Sequence, residues 1–353
     1  MRIGILTFHG AHNYGAMLQT YALKITCEKL GYKTNVIDYN PEYIKRQYQY
    51  FKLRKNIKAN LLNIFNLFGN ISKNKKFENF KNEYFDLIPM DGKDEFDVVV
   101  YGSDQIWNPN ISGTFDPIFF GVNEIAAKRN ISYAASVGKA FLDEEEKKKF
   151  HELSNGMSSI SVREESAAEL LQPLCEKPIE VTLDPTLLTR DYDWEKIQIA
   201  PNINHKYILI YEVSPFTETF EVAKKLSVKT GLPIVRIIYT RTHIKYGYQT
   251  LNGLGPREFL GWIKNAEYVI TSSFHGTAFS LIFEKNFYTI PHHSYSSRMV
   301  DLLDKLGLSD RLVQSLPDII EEIDYERVRE LLDSERNKSV SYIKNSVDFD
   351  KEI

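Results

Sequence analysis

Apolar and polar positions along this chain follow two alternating rhythms almost from the first residue. Arg2 to Phe8 (RIGILTF) is a continuous apolar run that predicts a buried strand, and Gly15 to Leu30 carries Leu18, Tyr21, Ala22 and Ile25 at helical spacing. Gly31 stops that helix, and Thr34 to Tyr39 (TNVIDY) predicts a second strand. Further short β runs stand at Phe96 to Tyr101 (FDVVVY), Ile131 to Val137, Ile160 to Arg163 and Ile179 to Leu183, with helical stretches from Asp143 to Asn155 and Glu164 to Gln172 between the last three. Such alternation predicts parallel βαβ units. From Leu188 to Pro201 the rhythm lapses into a polar stretch that reads as a hinge. A second block then predicts strands at Tyr207 to Val213, Pro233 to Tyr239, Tyr268 to Thr271 and Phe287 to Ile290. Its helices fall at Thr217 to Thr230, Arg257 to Asn265, from Gly276 onward and Ser297 to Leu306. The expected fold is α/β, two Rossmann-like domains facing a cleft. They span 1–190 and 202–315, followed by a charged helical tail over 316–353 that packs back on the first domain or lies free.

A length of 353 residues exceeds what one core usually serves, which agrees with two domains. Cys27 and Cys175 match no metal spacing and are too few for a disulfide framework, so a reducing compartment is expected. Strand-like residues begin at Arg2, leaving no room for a signal peptide, and no apolar run approaches the roughly 20 residues that span a bilayer. The expectation is a cytoplasmic protein, or a peripheral visitor to the inner face of the cell membrane.

Net charge −3 gives no whole-protein case for nucleic acid, but the charge is unevenly placed. Within an insertion at about 42–95, the stretch from Lys45 to Lys81 carries ten Lys or Arg against one acid, Glu78. Leu61, Leu62, Ile64, Phe65, Leu67 and Phe68 add a short apolar face. A basic amphipathic stretch of this kind suits an anionic membrane surface; a solvated helical pair packed on the domain is the alternative. Docking on lipid would bring the chain to sugars carried on a lipid diphosphate. No recognition motif accompanies the charge, so nucleic acid is not expected as a partner.

Four loops after predicted strand ends collect the chemistry. His9 to Gly15 (HGAHNYG) has two glycines flanking a polar loop at a helix mouth, where backbone N–H groups cradle phosphate or sugar hydroxyls; Asn13, Tyr14 and Gly15 are its candidates. Gly102 to Pro109 (GSDQIWNP) offers Ser103, a carboxylate in Asp104 that suits paired hydroxyls, and Trp107. Trp107 gives a sugar a flat face or plugs the core, the commoner use of so large a ring. In Ser161 to Ser166 (SVREES), Arg163 is a ready fork for phosphate or carboxylate, or the partner of Glu164 or Glu165. The fourth loop, within Tyr268 to Ile282 (YVITSSFHGTAFSLI), sets Ser272, Ser273, His275 and Gly276 at a strand-turn-helix mouth, with Arg298 at the next helix start. That arrangement suits an anion that must also exchange a proton.

Taken in order, HNYGAMLQTYAL, GSDQIWNP, YAASVG, SVREES, LDPTLL and SSFHGTAFSLIFEKNF resemble the polysaccharide pyruvyl transferase family from about Arg2 to Arg311, with Glu42 to Glu95 outside the likeness. The resemblance implies a GT-B-like architecture. It also implies transfer of the pyruvyl group of phosphoenolpyruvate onto two hydroxyls of a sugar, as a cyclic ketal in cell-surface polysaccharide biosynthesis. The family's His before Gly falls on His275 and its Arg two residues after a Ser falls on Arg163. Some members carry Arg two positions before that His, where this chain has Ser273, which leaves Arg163 and Arg298 for the donor's anions. The expected roles are His275 as acid, Arg163 and Arg298 as cations, and Asp104 as base or hydroxyl-orienting group, with no cofactor and no metal. The same architecture would also serve a nucleotide-sugar glycosyltransferase, and a non-catalytic carbohydrate-binding protein is the reading from a different class.

Overall fold

Strands buried on both faces read as unbroken apolar runs, and the structure pairs them accordingly. The computed structural model describes residues 1–47, 57–213, 216–238, 248–291 and 297–348, with the side chains of 47 and 57–68 excepted. The chain divides into two units, the first made of Met1–Tyr48, Lys81–Thr189 and Leu332–Ile353, the second of Gln49–Phe80 and Arg190–Leu331.

In chain order the first stretch holds β1 (Arg2–Leu6), α1 (Tyr14–Lys29), β2 (Lys33–Asp38), α2 (Glu42–Gln47), α3 (Ile57–Tyr84), β3 (Leu87–Pro89), β4 (Glu95–Asp104) and α4 (Pro109–Ser112). It continues through β5 (Ala126–Ala135), α5 (Glu144–Ser154), β6 (Ile160–Val162), α6 (Glu165–Leu171), β7 (Ile179–Val181) and α7 (Pro185–Leu188). Its sheet is parallel in the order β3-β2-β1-β4-β5-β6-β7. The order reverses between β1 and β4, and such a switch point opens a crevice at the carboxyl ends of its strands. Leu6, Phe8, Val99, Trp107, Phe119, Phe120 and Phe150 sit in its core.

The second stretch holds α8 (Asp191–Glu195), β8 (Ile208–Tyr211), α9 (Thr217–Thr230), β9 (Ile234–Ile237), β10 (Gln249–Leu251), α10 (Pro256–Lys264), β11 (Tyr268–Thr271), α11 (Phe274–Ile282), β12 (Asn286–Thr289) and α12 (Ser297–Lys305). These strands form a parallel sheet in the order β10-β9-β8-β11-β12, with its switch point between β8 and β11. Among the described residues the charged tail is helical as α13 (Tyr325–Val347). Its later part packs on the first unit: Tyr342 donates its hydroxyl to Ser132 O at 2.8 Å, and Arg336 Nε donates to Leu187 O at 2.6 Å. The polar stretch read as a hinge contains the boundary at Thr189, yet it is partly built. Trp194 of α8 is fully buried and meets Phe279 edge-on, 5.0 Å between ring centres.

The basic insertion is corrected in one respect. Lys52, Arg54 and Lys55 lie outside the described residues, as do the side chains of Lys58 and Leu61 to Phe68. Among those described, Asn70, Lys73, Phe77 and Phe80 form one buried helical stripe, and Lys76 pairs with Glu258 at 2.7 Å. One of the cations, Lys73, therefore turns inward and a second, Lys76, is paired with an acid, which weakens the electrostatic case for a lipid surface. No helix among the described residues is long and apolar enough to cross a membrane.

Lys73 gives a pH signature. Burial lowers its pKa from 10.5 to about 7, and its Nζ stands 5.4 Å from the centre of the Phe77 ring. Between those two values the unfolded chain binds a proton that the folded chain does not, so stability rises with pH across that window. The slope is at most about 1.4 kcal/mol per pH unit. Lys73→Met is expected to stabilise the protein at pH 7 and to flatten this slope, as read from urea midpoints at pH 7 and pH 9.

Candidate active site

The first switch point is built by the loops after β1 and β4. Asn13 leads into α1 in an extended conformation, and its Oδ1 accepts from the N–H groups of Gly15 at 2.8 Å and Ala16 at 3.4 Å. It is the N-cap that starts the helix. Tyr14 and Gly15 are buried in the first turn, so these three residues shape the mouth of α1. Ser103 and Trp107 are corrected more sharply. Ser103 is fully buried and donates its hydroxyl to Gln19 Oε1 at 2.9 Å, while its carbonyl accepts from Thr7 Oγ1 at 2.9 Å. Trp107 is fully buried, stacked on Phe120 at 4.8 Å, and donates its indole N–H to Phe119 O at 3.1 Å. Its face belongs to the core and is closed to a sugar.

Asp104 behaves differently. It is half-buried at the carboxyl end of β4, and its φ of 76° lies in the left-handed region that a non-glycine residue rarely occupies. Gly102 (φ 125°) and Ala134 (φ 47°) on the neighbouring strand share the distortion. A Cβ at Gly102 would stand 2.2 Å from Tyr133 O, so glycine is required there. Strain of this kind persists only where the surroundings enforce it, and it gathers at functional sites. Asp104 Oδ1 accepts from the N–H of Gln105 at 2.8 Å, which fixes the carboxylate.

Arg163 lies near enough to that carboxylate to feel its charge. Its side chain is 2 % exposed, with Nη1 2.7 Å from Asp184 Oδ2 and Nε 3.7 Å from Glu164 Oε1. Burial opposes its charge, but Glu164, Asp184 and Asp104 together hold its pKa above the ordinary value. The guanidinium is thus committed to carboxylates of the protein. The expectation of an open fork for the donor is corrected, and the main partner is Asp184 of the LDPT turn. Asp184 Oδ1 also caps α7, accepting from the N–H and hydroxyl of Thr186 at 3.0 and 2.7 Å.

In the second unit two helices begin beside the β8–β11 switch point, and their N-termini differ in charge. At α9, Glu212 Oε2 accepts from the N–H of Phe216 at 3.2 Å, and the same carboxylate pairs with Arg236, both side chains being buried. Burial raises the Glu212 carboxyl above its usual pKa, and Arg236 opposes that rise. This helix end already holds an anion supplied by the protein.

At α11 no acidic residue lies in the first turn. Ser273 caps the helix from an extended conformation, with Oγ 3.5 Å from the N–H of Gly276, and Ser272 is half-buried in the turn before it. His275 is the second residue of the helix, buried, with its ring edge-on to Phe274 at 5.3 Å. A Cβ at Gly276 would stand 2.2 Å from Thr271 Oγ1, so glycine lets α11 close onto the end of β11 and holds His275 at the strand mouth. The first turn of a helix presents N–H groups without intrahelical partners and a positive dipole end. Arg298, half-buried, is the second residue of α12, which follows β12, the parallel neighbour of β11. The structure therefore places Ser272, Ser273, His275 and Gly276 at the mouth of β11, while Arg298 lies in the first turn of the helix after the neighbouring strand. Sequence reasoning quoted Asp184 within LDPTLL without giving it a role and passed over Glu212 and Arg236, because the pairings of all three are made with residues distant in sequence.

A family model for polysaccharide pyruvyl transferase matches residues 13–294. No curated protein matches. Among solved structures, a UDP-GlcNAc 2-epimerase from Neisseria meningitidis bound to UDP-GlcNAc is similar at a TM-score of 0.50 and 11% identity, over 98% of this chain and 99% of that one. The S. aureus MnaA–UDP co-structure is similar at a TM-score of 0.51 and 11% identity, over 98% and 97%. At such identities the likeness speaks for the fold, which is of the GT-B type with two Rossmann-like units.

Proposed function

The chain belongs to the polysaccharide pyruvyl transferase family, and from that premise we propose that it moves the pyruvyl group of phosphoenolpyruvate onto two hydroxyls of a sugar in cell-surface polysaccharide biosynthesis. The observation that carries the reading is the start of α11, a helix N-terminus without an acidic first turn that bears a histidine in that turn. The donor has two anionic groups to hold and a methylene carbon to protonate. Helix N–H groups and Arg298 suit the anions, and His275 suits the proton. Glu212 at α9 sharpens the choice, because it leaves α11 as the anion-receptive one of the two helix ends at that switch point.

In the proposed reaction His275 gives a proton to C3 of the donor, leaving oxocarbenium character at C2. One sugar hydroxyl adds to C2, the C2–O bond to phosphate breaks, and the second hydroxyl closes the ketal. The two hydroxyl protons balance the proton on the new methyl group and the one taken by phosphate. In the first unit Asp104, whose Oδ1 accepts from the N–H of Gln105, is the carboxylate suited to take a hydroxyl proton. Arg163 acts through the carboxylates it holds and is a positioning residue.

The test is phosphate release from phosphoenolpyruvate, expected only with a sugar acceptor present. The acceptor should gain about 70 Da, pyruvate less water, as the reaction class requires. Transfer of a hexose from a nucleotide sugar instead would overturn the reading.

A further inference from the structure

One strand away from the first switch point, β2 ends in Asp38, which the reaction above does not use. Its side chain is 50% exposed, and its Oδ1 lies 2.9 Å from Nε2 of His9, which is fully buried. The other ring nitrogen of His9 faces Thr7 O at 3.2 Å. The two ring nitrogens of the buried His9 thus each face an oxygen acceptor, one on the backbone and one on this half-exposed carboxylate. The residues after Asp38 are braced too. Tyr39 and Tyr43 each donate a hydroxyl to Asp116 Oδ2 at 2.8 Å, and Gly10 packs so closely on Asn40 that a Cβ there would stand 2.6 Å from the amide.

An ionised carboxylate accepts hydrogen bonds only, and one whose direction is fixed from behind is preorganised for hydroxyl donors. In the dinucleotide-binding members of this sheet class an acid about 20 residues beyond the first βα turn reads a ribose hydroxyl. We propose that Asp38, aimed by His9, is a subsite carboxylate that binds hydroxyls of the acceptor sugar. The assignment rests on the pyruvyl-transfer reading for its ligand class, and on the strand-end geometry for its residues. His9 acts through Asp38 and is a positioning residue.

The experiment is saturation-transfer NMR with a panel of methyl hexopyranosides as probes and no donor present. Wild type is expected to bind at least one of them. Asp38→Asn, which keeps an acceptor for His9, is expected to weaken that binding by about ten- to a hundredfold, the range for hydrogen bonds to a charged group. Its melting temperature should stay unchanged. In turnover the same variant should raise KM for the acceptor and leave KM for phosphoenolpyruvate where it was. Wild type that binds none of the panel overturns the subsite, as does a variant with unaltered glycoside binding and unaltered acceptor KM. Glycoside binding that depends on Asp38 in a protein that never consumes phosphoenolpyruvate would keep the subsite and sink the transfer reaction instead.

Discussion

Replacing His275 with asparagine is expected to cut turnover by about 10²- to 10⁴-fold, the range for loss of a general acid. The substitution isolates chemistry from folding. The helix start depends on the Ser273 cap and on the close approach at Gly276, and neither uses the imidazole. Asparagine keeps a planar polar group beside Phe274 but has no proton to give to carbon. At saturating donor and acceptor the loss should appear in kcat, with both KM values nearly unchanged, because the proton moves only in the transition state. A folded variant with near-normal turnover would return His275 to a packing role against Phe274, and the proposed reaction would lose its acid.

Much of this site was legible in the sequence for one physical reason. Parallel strands buried on both faces print as apolar runs, so the ends of β1, β4 and β11, and the loops after them, are fixed by local pattern alone. The turn at Ser272 to Gly276 is such a case. Its strand, its Ser cap and the glycine that admits close packing lie within nine consecutive residues. What escaped was either too short or too distant. The edge strands β3 and β10 have three residues each and no pattern to show. α8 reads as polar because four of its five residues are charged or hydroxylated, while the remaining one, Trp194, is fully buried and packs on Phe279 from far along the chain. The direction of a side chain was equally hidden. Ser103 lies near the ligand end of β4 and Trp107 in the loop after it, yet both turn into the core. Arg163 has acids beside it in sequence, and the closer of its carboxylate contacts is with Asp184, 21 positions on.

That pairing carries the second large effect. Arg163→Met is expected to destabilise the first unit by about 3–5 kcal/mol, the cost of removing one partner from a buried ion pair. Asp184 and Glu164 would remain in a buried setting without the charge that offsets them, and Asp104 at the mouth of β4 would lose a nearby positive charge. Unfolding in urea should show a lower midpoint at unchanged slope. Asp184→Asn should cost less than Arg163→Met, because it removes a charge while keeping an acceptor for the α7 cap. The double variant should fall short of the sum of the two, since the residues share one interaction. Arg163→Lys separates this role from donor binding. Lysine keeps the charge but not the fork, so a structural arginine predicts a modest loss of stability and no selective change in KM for phosphoenolpyruvate. A lysine variant of full stability whose donor KM alone rises steeply would show that Arg163 touches the donor, and the ion pair with Asp184 would then be only its resting arrangement.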